Sequence, residues 1–219
     1  MAQLQEIARY TVLQEILNSV THGAGALVSI AGLVILIVSS SMYGQVSHIA
    51  SCTVFGISLV LLYTASTLYH SFQKPNIKHI LKILDHSCIY VLIAGTYTPF
   101  MIVTVRGALG WTMFTIVWSL TILGIIFKAF FVNRFKIIST LAYILMGWLI
   151  IFAIKPLFQT LPGSGIAWLV AGGLAYTLGT IFYAWKTLPF NHAVWHLFVL
   201  VGSVCHFMAV LFYIVPVKA

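Results

Sequence analysis

Residues 108–131 read ALGWTMFTIVWSLTILGIIFKAFF, an apolar run interrupted by one charge, Lys128. As a helix rising 1.5 Å per residue it extends about 36 Å, more than the hydrocarbon core of a bilayer, about 30 Å thick. Six further runs lie at about 21–41, 48–72, 83–104, 136–156, 164–185 and 192–216, each long enough to cross. Turn formers separate them: Tyr43-Gly44-Gln45, Lys74-Pro75-Asn76, Arg106-Gly107, Asn133-Arg134, Pro162-Gly163-Ser164 and Pro189-Phe190-Asn191. The expected fold is an all-α membrane protein, a seven-transmembrane helix bundle forming a single domain over residues 1–219.

Composition agrees. Hydrophobic residues make up 61% of the chain, charged residues 6%, and mean hydropathy is +1.07, whereas soluble domains carry about a quarter charged residues. The first nineteen residues include Glu6, Arg9 and Glu15 and lack the basic, apolar and cleavage regions of a signal peptide, so the first apolar run is expected to remain as a span. Cys52, Cys88 and Cys205 are odd in number and sit in apolar runs, which argues against a disulfide framework. The net charge of +8 is scattered through short turns rather than gathered in a patch, so nucleic acid is not an expected partner.

Those basic residues set the orientation instead. The amino-terminal segment and alternate turns hold Arg9, Lys74, Lys78, Lys82, Lys128, Arg134, Lys136 and Lys186; the other side holds Arg106, Lys155 and Lys218. Eight against three in short loops places the amino terminus in the cytoplasm and the carboxyl terminus outside.

With that topology, Ser66, His70, Asp85, His192 and His196 all fall near cytoplasmic helix ends. Ser66-x-x-x-His70 and His192-x-x-x-His196 each put two polar groups on one helix face. Three imidazoles with one open position form a known catalytic zinc arrangement. Helix-end histidines that merely reach lipid head groups would give the same spacing. Asp85 is one of three acids in the chain; beside a metal it would handle protons, and otherwise it would pair with Lys82 on the same face. Ser66 suits an oxyanion or a water, or simply its own helix backbone. Glu15, Asn18 and His22 make a polar stripe entering the first span, either bracing the site floor or marking an interfacial helix. His206 lies ten residues beyond His196, about 15 Å along the axis, too far to share an ion. Gly95 with Pro99, and Gly172, Gly173 and Gly179, read as kink and close-packing positions.

Taken together, Glu15-x-x-Asn18-x-x-Thr21-His22, Ser66-x-x-x-His70, Leu84-Asp85 leading to Ile93-x-Gly95-x-x-x-Pro99, and His192-x-x-x-His196 followed by Phe198-Val199-x-x-Gly202 and His206-Phe207 resemble the progestin and adipoQ receptor family, in its bacterial haemolysin III branch. The resemblance spans residues 15–207. It implies seven helices with a cytoplasmic amino terminus, zinc held by His70, His192 and His196, and Asp85 and Ser66 near the water on that ion. It also implies a bacterial plasma membrane location. Relatives are linked to hydrolysis of lipid amides, notably ceramide, and others are called receptors or cytolysins. The long soluble amino-terminal region of the animal receptors is missing, so no soluble hormone ligand is expected.

The leading expectation is a zinc-dependent hydrolase in the bilayer, with membrane lipids as partners and a lipid amide or ester as substrate. The alternative is a haemolysin III-type cytolytic protein, or a membrane sensor with a structural zinc. Pore formation is weakened by spans too uniformly apolar to line an aqueous channel. Reporter fusions test the topology: Met1 and the turns after spans two, four and six should report cytoplasmic, and Ala219 outside. A cytoplasmic carboxyl terminus would overturn the seven-span count.

Overall fold

The computed structural model describes residues 10–216. Met1, Arg9, Lys218 and Ala219, on which part of the orientation argument rests, lie outside the described residues.

Seven helices are long and apolar enough to cross a membrane, and no strand occurs among the described residues. Helix α1 runs Val12–Tyr43, α2 Val46–Ser71 and α3 Pro75–Pro99, extended by a wider π-turn segment Phe100–Val105. Helix α4 is Gly107–Phe131. Helix α5 spans Lys136–Thr160 and tightens to 3-10 geometry at Leu149–Ala153. Helix α6 is Gly163–Ala184, and α7 is Asn191–Ala209 with a π-turn end at Val210–Ile214.

The first helix begins nine residues before the apolar run at 21–41, because Thr11 caps it. The Gln14 amide donates to Thr11 Oγ1 at 3.3 Å, and the Thr11 amide donates back to Gln14 Oε1 at 2.8 Å. This reciprocal cap satisfies amides that a helix start otherwise leaves unpaired. Glu15, Asn18 and His22 therefore ride on the same unbroken helix that crosses the bundle.

Helix α1 packs on α2, α2 on α3, α3 on α4 and α6 on α7, and contact between α1 and α7 joins the two groups. Helix α5 touches α3 and α6 only sparingly. The interior is filled by side chains such as Phe55, Leu59, Phe100, Met101 and Ile214. The outer faces are apolar too: Phe130 and Ile137 are each 77% exposed. With lipid as apolar as leucine, close packing rather than water exclusion holds such helices together.

Two glycines show how close that packing is. A Cβ on Gly95 would lie 2.2 Å from Ser58 Oγ, so α2 and α3 touch there almost backbone to backbone. Pro99, one turn later, lies at the change into π-turn geometry. A Cβ on Gly172 would come within 2.3 Å of the His206 ring, whose Nε2 donates to Leu169 O at 3.1 Å. The backbone is left-handed at Arg106, Phe135 and Phe190, immediately before α4, α5 and α7.

Gly172→Ala should therefore displace His206 and lower stability by about 1–3 kcal/mol, as overpacking generally does. Gly147→Ala, whose Cβ would meet nothing within 4 Å, is the control. Thermal unfolding in detergent measures both; equal midpoints would refute tight packing at Gly172.

Candidate metal centre

Four helices, α1, α2, α3 and α7, bring the polar groups to one end of the bundle. His70 sits in the last turn of α2, with Ser66 one turn deeper. His192 and His196 open α7, which Phe190 starts abruptly and which Asn191 ties to α6 by donating to Phe182 O and Tyr183 O, both at 3.2 Å. One ligand nitrogen from each of His70, His192 and His196 lies within 4.8 Å of the others, and all three residues are buried. Ring centres are 5.1 Å apart for His70 and His192, 5.2 Å for His70 and His196, and 4.6 Å for His192 and His196.

Hydrogen bonds select the nitrogen that each ring turns inward. His70 Nδ1 meets Glu15 Oε2 at 2.6 Å. A carboxylate only accepts, so Nδ1 carries a proton, and the neutral ring then presents the Nε2 lone pair inward. His196 Nδ1 lies 3.2 Å from Asn18 O and 3.1 Å from Thr21 Oγ1. Donation to that carbonyl again leaves Nε2 bare. His70 Nε2, both nitrogens of His192, and Ser66 Oγ are buried with no hydrogen-bond partner among the described residues. Orphaned buried polar atoms are costly and rare. Three imidazoles, two of them oriented by outer partners, are the donor set of a nitrogen-bound metal, so these residues fit a zinc-like ion.

Around them the polar stripe of α1 faces inward. Glu15, Asn18 and His22 are all buried, which removes the interfacial-helix alternative. Glu15 Oε1 also accepts from Lys78 Nζ at 2.6 Å, so α1, α2 and α3 meet at one carboxylate. His22 stacks on His196 with ring centres 3.5 Å apart.

Asp85 is buried on α3 near this group, but its partner differs from the one expected. Among the described residues it pairs with His86, whose Nδ1 is 3.4 Å from Asp85 Oδ2, while Lys82 Nζ donates to Asn133 Oδ1 at 2.6 Å. Adjacent helix positions are separated by about 100°, yet the His86 ring swings back toward the acid. His86 Nδ1 also lies 2.9 Å from Lys82 O, the shorter of the two contacts. His206 behaves as expected, buried and bonded to backbone away from the centre.

Lys78 is the participant that sequence reasoning missed, having been counted only as a topology charge. Its position three residues after the helix-opening Pro75 is compatible with an inward face, but nothing in the spacing joins it to Glu15. Tyr10, whose ring centre is 5.2 Å from that of His192, was missed as well.

A cavity of about 200 Å³ reaches this centre. Ser66, Asp85, His192 and His196 line one end, and Leu62, Leu92 and Leu169 are among its apolar walls.

Fold and site together define a multi-pass membrane protein with a buried three-imidazole group at one end of a seven-helix bundle. The chain belongs to the haemolysin-III related family, whose sequence pattern matches residues 10–207. It is 57% identical over 205 residues to Hemolysin-3 of Bacillus cereus, covering 94% of each chain. It is 54% identical over 208 residues to a Hemolysin-3 homolog of Bacillus subtilis (strain 168), covering 95% of this chain and 98% of the relative. The human monocyte to macrophage differentiation factor is 29% identical over 163 residues, 72% of this chain and 67% of the relative, and is a distant relative from the wider progestin and adipoQ receptor family. The resemblance drawn from the four motifs is thus met at the level of family.

Protein purified with zinc supplied should hold about one ion per chain, and alanine at His70, His192 or His196 should strip it. Glu15→Gln should keep the fold but weaken metal binding by about 10–100-fold, since it removes the carboxylate that orients His70. Exposed His79→Ala is the control; elemental analysis decides, and equal losses in control and candidates would point to folding damage.

Proposed function

We propose that this protein is a zinc-dependent hydrolase of the cell membrane, with its site at the cytoplasmic face, cleaving an amide or ester bond in a ceramide-like lipid. The observation that carries this reading is that His192 and His196 of the buried three-histidine group line, with Asp85 and Ser66, a largely apolar cavity. A structural site would not need a carboxylate, an unpartnered hydroxyl and an acyl-sized apolar space converging on it.

Each residue has a task. His70, His192 and His196 hold the ion, and Glu15 and the Asn18 carbonyl fix two of those rings in the ligating tautomer. A bound zinc ion would lower the pKa of water towards about 7 and polarise the scissile carbonyl. Asp85 takes the proton released as water attacks and returns it to the leaving group. Ser66 Oγ, buried without a partner, donates to the carbonyl oxygen as it becomes negative. The apolar walls hold the acyl chain and exclude bulk water. The substrate arrives sideways from the bilayer, and the sparse contacts of α5 with α3 and α6 make that wall the favoured route.

A second reading is membrane lysis, favoured by the name of the Bacillus cereus relative, Hemolysin-3. Asp85→Asn separates the two. It preserves size and hydrogen bonding but cannot take up a proton as a carboxylate does, so zinc content should persist while hydrolysis of a lipid extract falls by about 10²–10⁴. Wild-type protein that lyses vesicles yet releases no fatty acid, with or without a chelator, would establish the second reading. Full hydrolysis by zinc-replete Asp85→Asn would remove Asp85 from the chemistry.

A further inference from the structure

The cavity has a second polar region that the metal centre does not use. Lys128 lies on α4 three residues before its end, 1% exposed. A lysine so near a helix end normally extends its ammonium to the membrane surface. This one turns inward: Nζ donates to Ser139 Oγ at 2.6 Å and lies 5.8 Å from the Tyr143 ring centre. The Ser139 hydroxyl spends its own proton on Phe135 O at 3.1 Å. No carboxylate pairs with Lys128 among the described residues, where Glu15 serves His70 and Lys78, and Asp85 serves His86. Lys128, Lys136, Ser139, Thr140 and Tyr143 line the same cavity as Asp85 and His192.

A buried ammonium held by one hydroxyl is expensive in an apolar bundle, and ionisable groups kept in such places mark ligand sites. We propose that the cavity binds a lipid with a phosphate-bearing head group, the phosphate seated on the Lys128 ammonium, which keeps two N–H donors beyond the one given to Ser139. Phosphate is favoured over carboxylate by its acceptors and charge: a phosphomonoester carries about −1.5 to −2 at neutral pH with three acceptor oxygens, enough to take both remaining Lys128 donors, whereas a carboxylate brings two oxygens and a single charge. The assignment concerns binding and stands whether or not the metal centre hydrolyses the lipid.

Full-length protein in neutral maltoside detergent is titrated calorimetrically with dodecyl phosphate, dodecanoate and dodecanol. Dodecyl phosphate should bind about tenfold or more tightly than either of the others. Lys128→Met should abolish that preference and Lys128→Arg should keep it. Metal-stripped protein should bind dodecyl phosphate unchanged, which separates this site from the metal centre. Equal binding of dodecanol would overturn an anion site, equal binding of dodecanoate would overturn the choice of phosphate, and loss of binding on metal removal would relocate the phosphate to the histidines. Circular dichroism and gel filtration check the fold of the Met variant; should it fail to fold, Ser139→Ala takes its place and must weaken dodecyl phosphate selectively.

Discussion

The contact between Glu15 and His70 organises the end of the bundle where the chemistry lies. In a medium that cannot solvate a carboxylate, Glu15 must be surrounded by donors, and two come from different helices: the His70 imidazole on α2 and the Lys78 ammonium on α3. Three helices are thereby registered at a single side chain. The same contact fixes the proton of His70 on Nδ1 and frees Nε2. Structural pairing and ligand preparation thus share one side chain.

Deeper in the bundle, several polar groups are paired within the protein, although Ser87 Oγ, Thr104 Oγ1 and His206 Nδ1 are not. Tyr63 and Tyr176 both meet Ser203 Oγ at 2.7 Å, Tyr97 donates to Gly147 O at 2.7 Å, and Trp148 donates to Thr177 Oγ1 at 3.0 Å. Against that background, the unpartnered atoms of His70, His192, His22 and Ser66 gathered at one end stand out. A bundle able to pair buried tyrosines with serine and carbonyl oxygens leaves these unpaired where the cavity begins, which is the arrangement expected of atoms reserved for an ion and a substrate.

The seven spans were legible because uncharged apolar runs of bilayer length seldom occur outside membranes. The three histidines were legible because four-residue spacing on helices fixes shared faces. The start of α1 was not, since hydropathy falls at Glu15 and Asn18 although the helix continues to its cap at Thr11. The partners of Asp85 and Glu15 were hidden for a related reason. Lys82 sits three residues before Asp85 and looked like its natural mate, but its ammonium reaches Asn133 between α4 and α5, while His86 curls back from the next position. Local spacing reports which groups share a face; it does not say which neighbour across the bundle competes for them.

Phe190 carries a φ of 57° directly before the helix that delivers two ligands. A left-handed conformation costs a non-glycine residue about 1–2 kcal/mol, which the partly covered Phe190 side chain, 38% exposed, offsets in part. Strain is thus stored in the turn that aims His192. Exchanging Phe190 for glycine would release the strain and enlarge the set of conformations available to the turn. The gain would be in backbone comfort and the loss in aim, so this short segment ranks as a place where the protein trades stability for the placement of one imidazole.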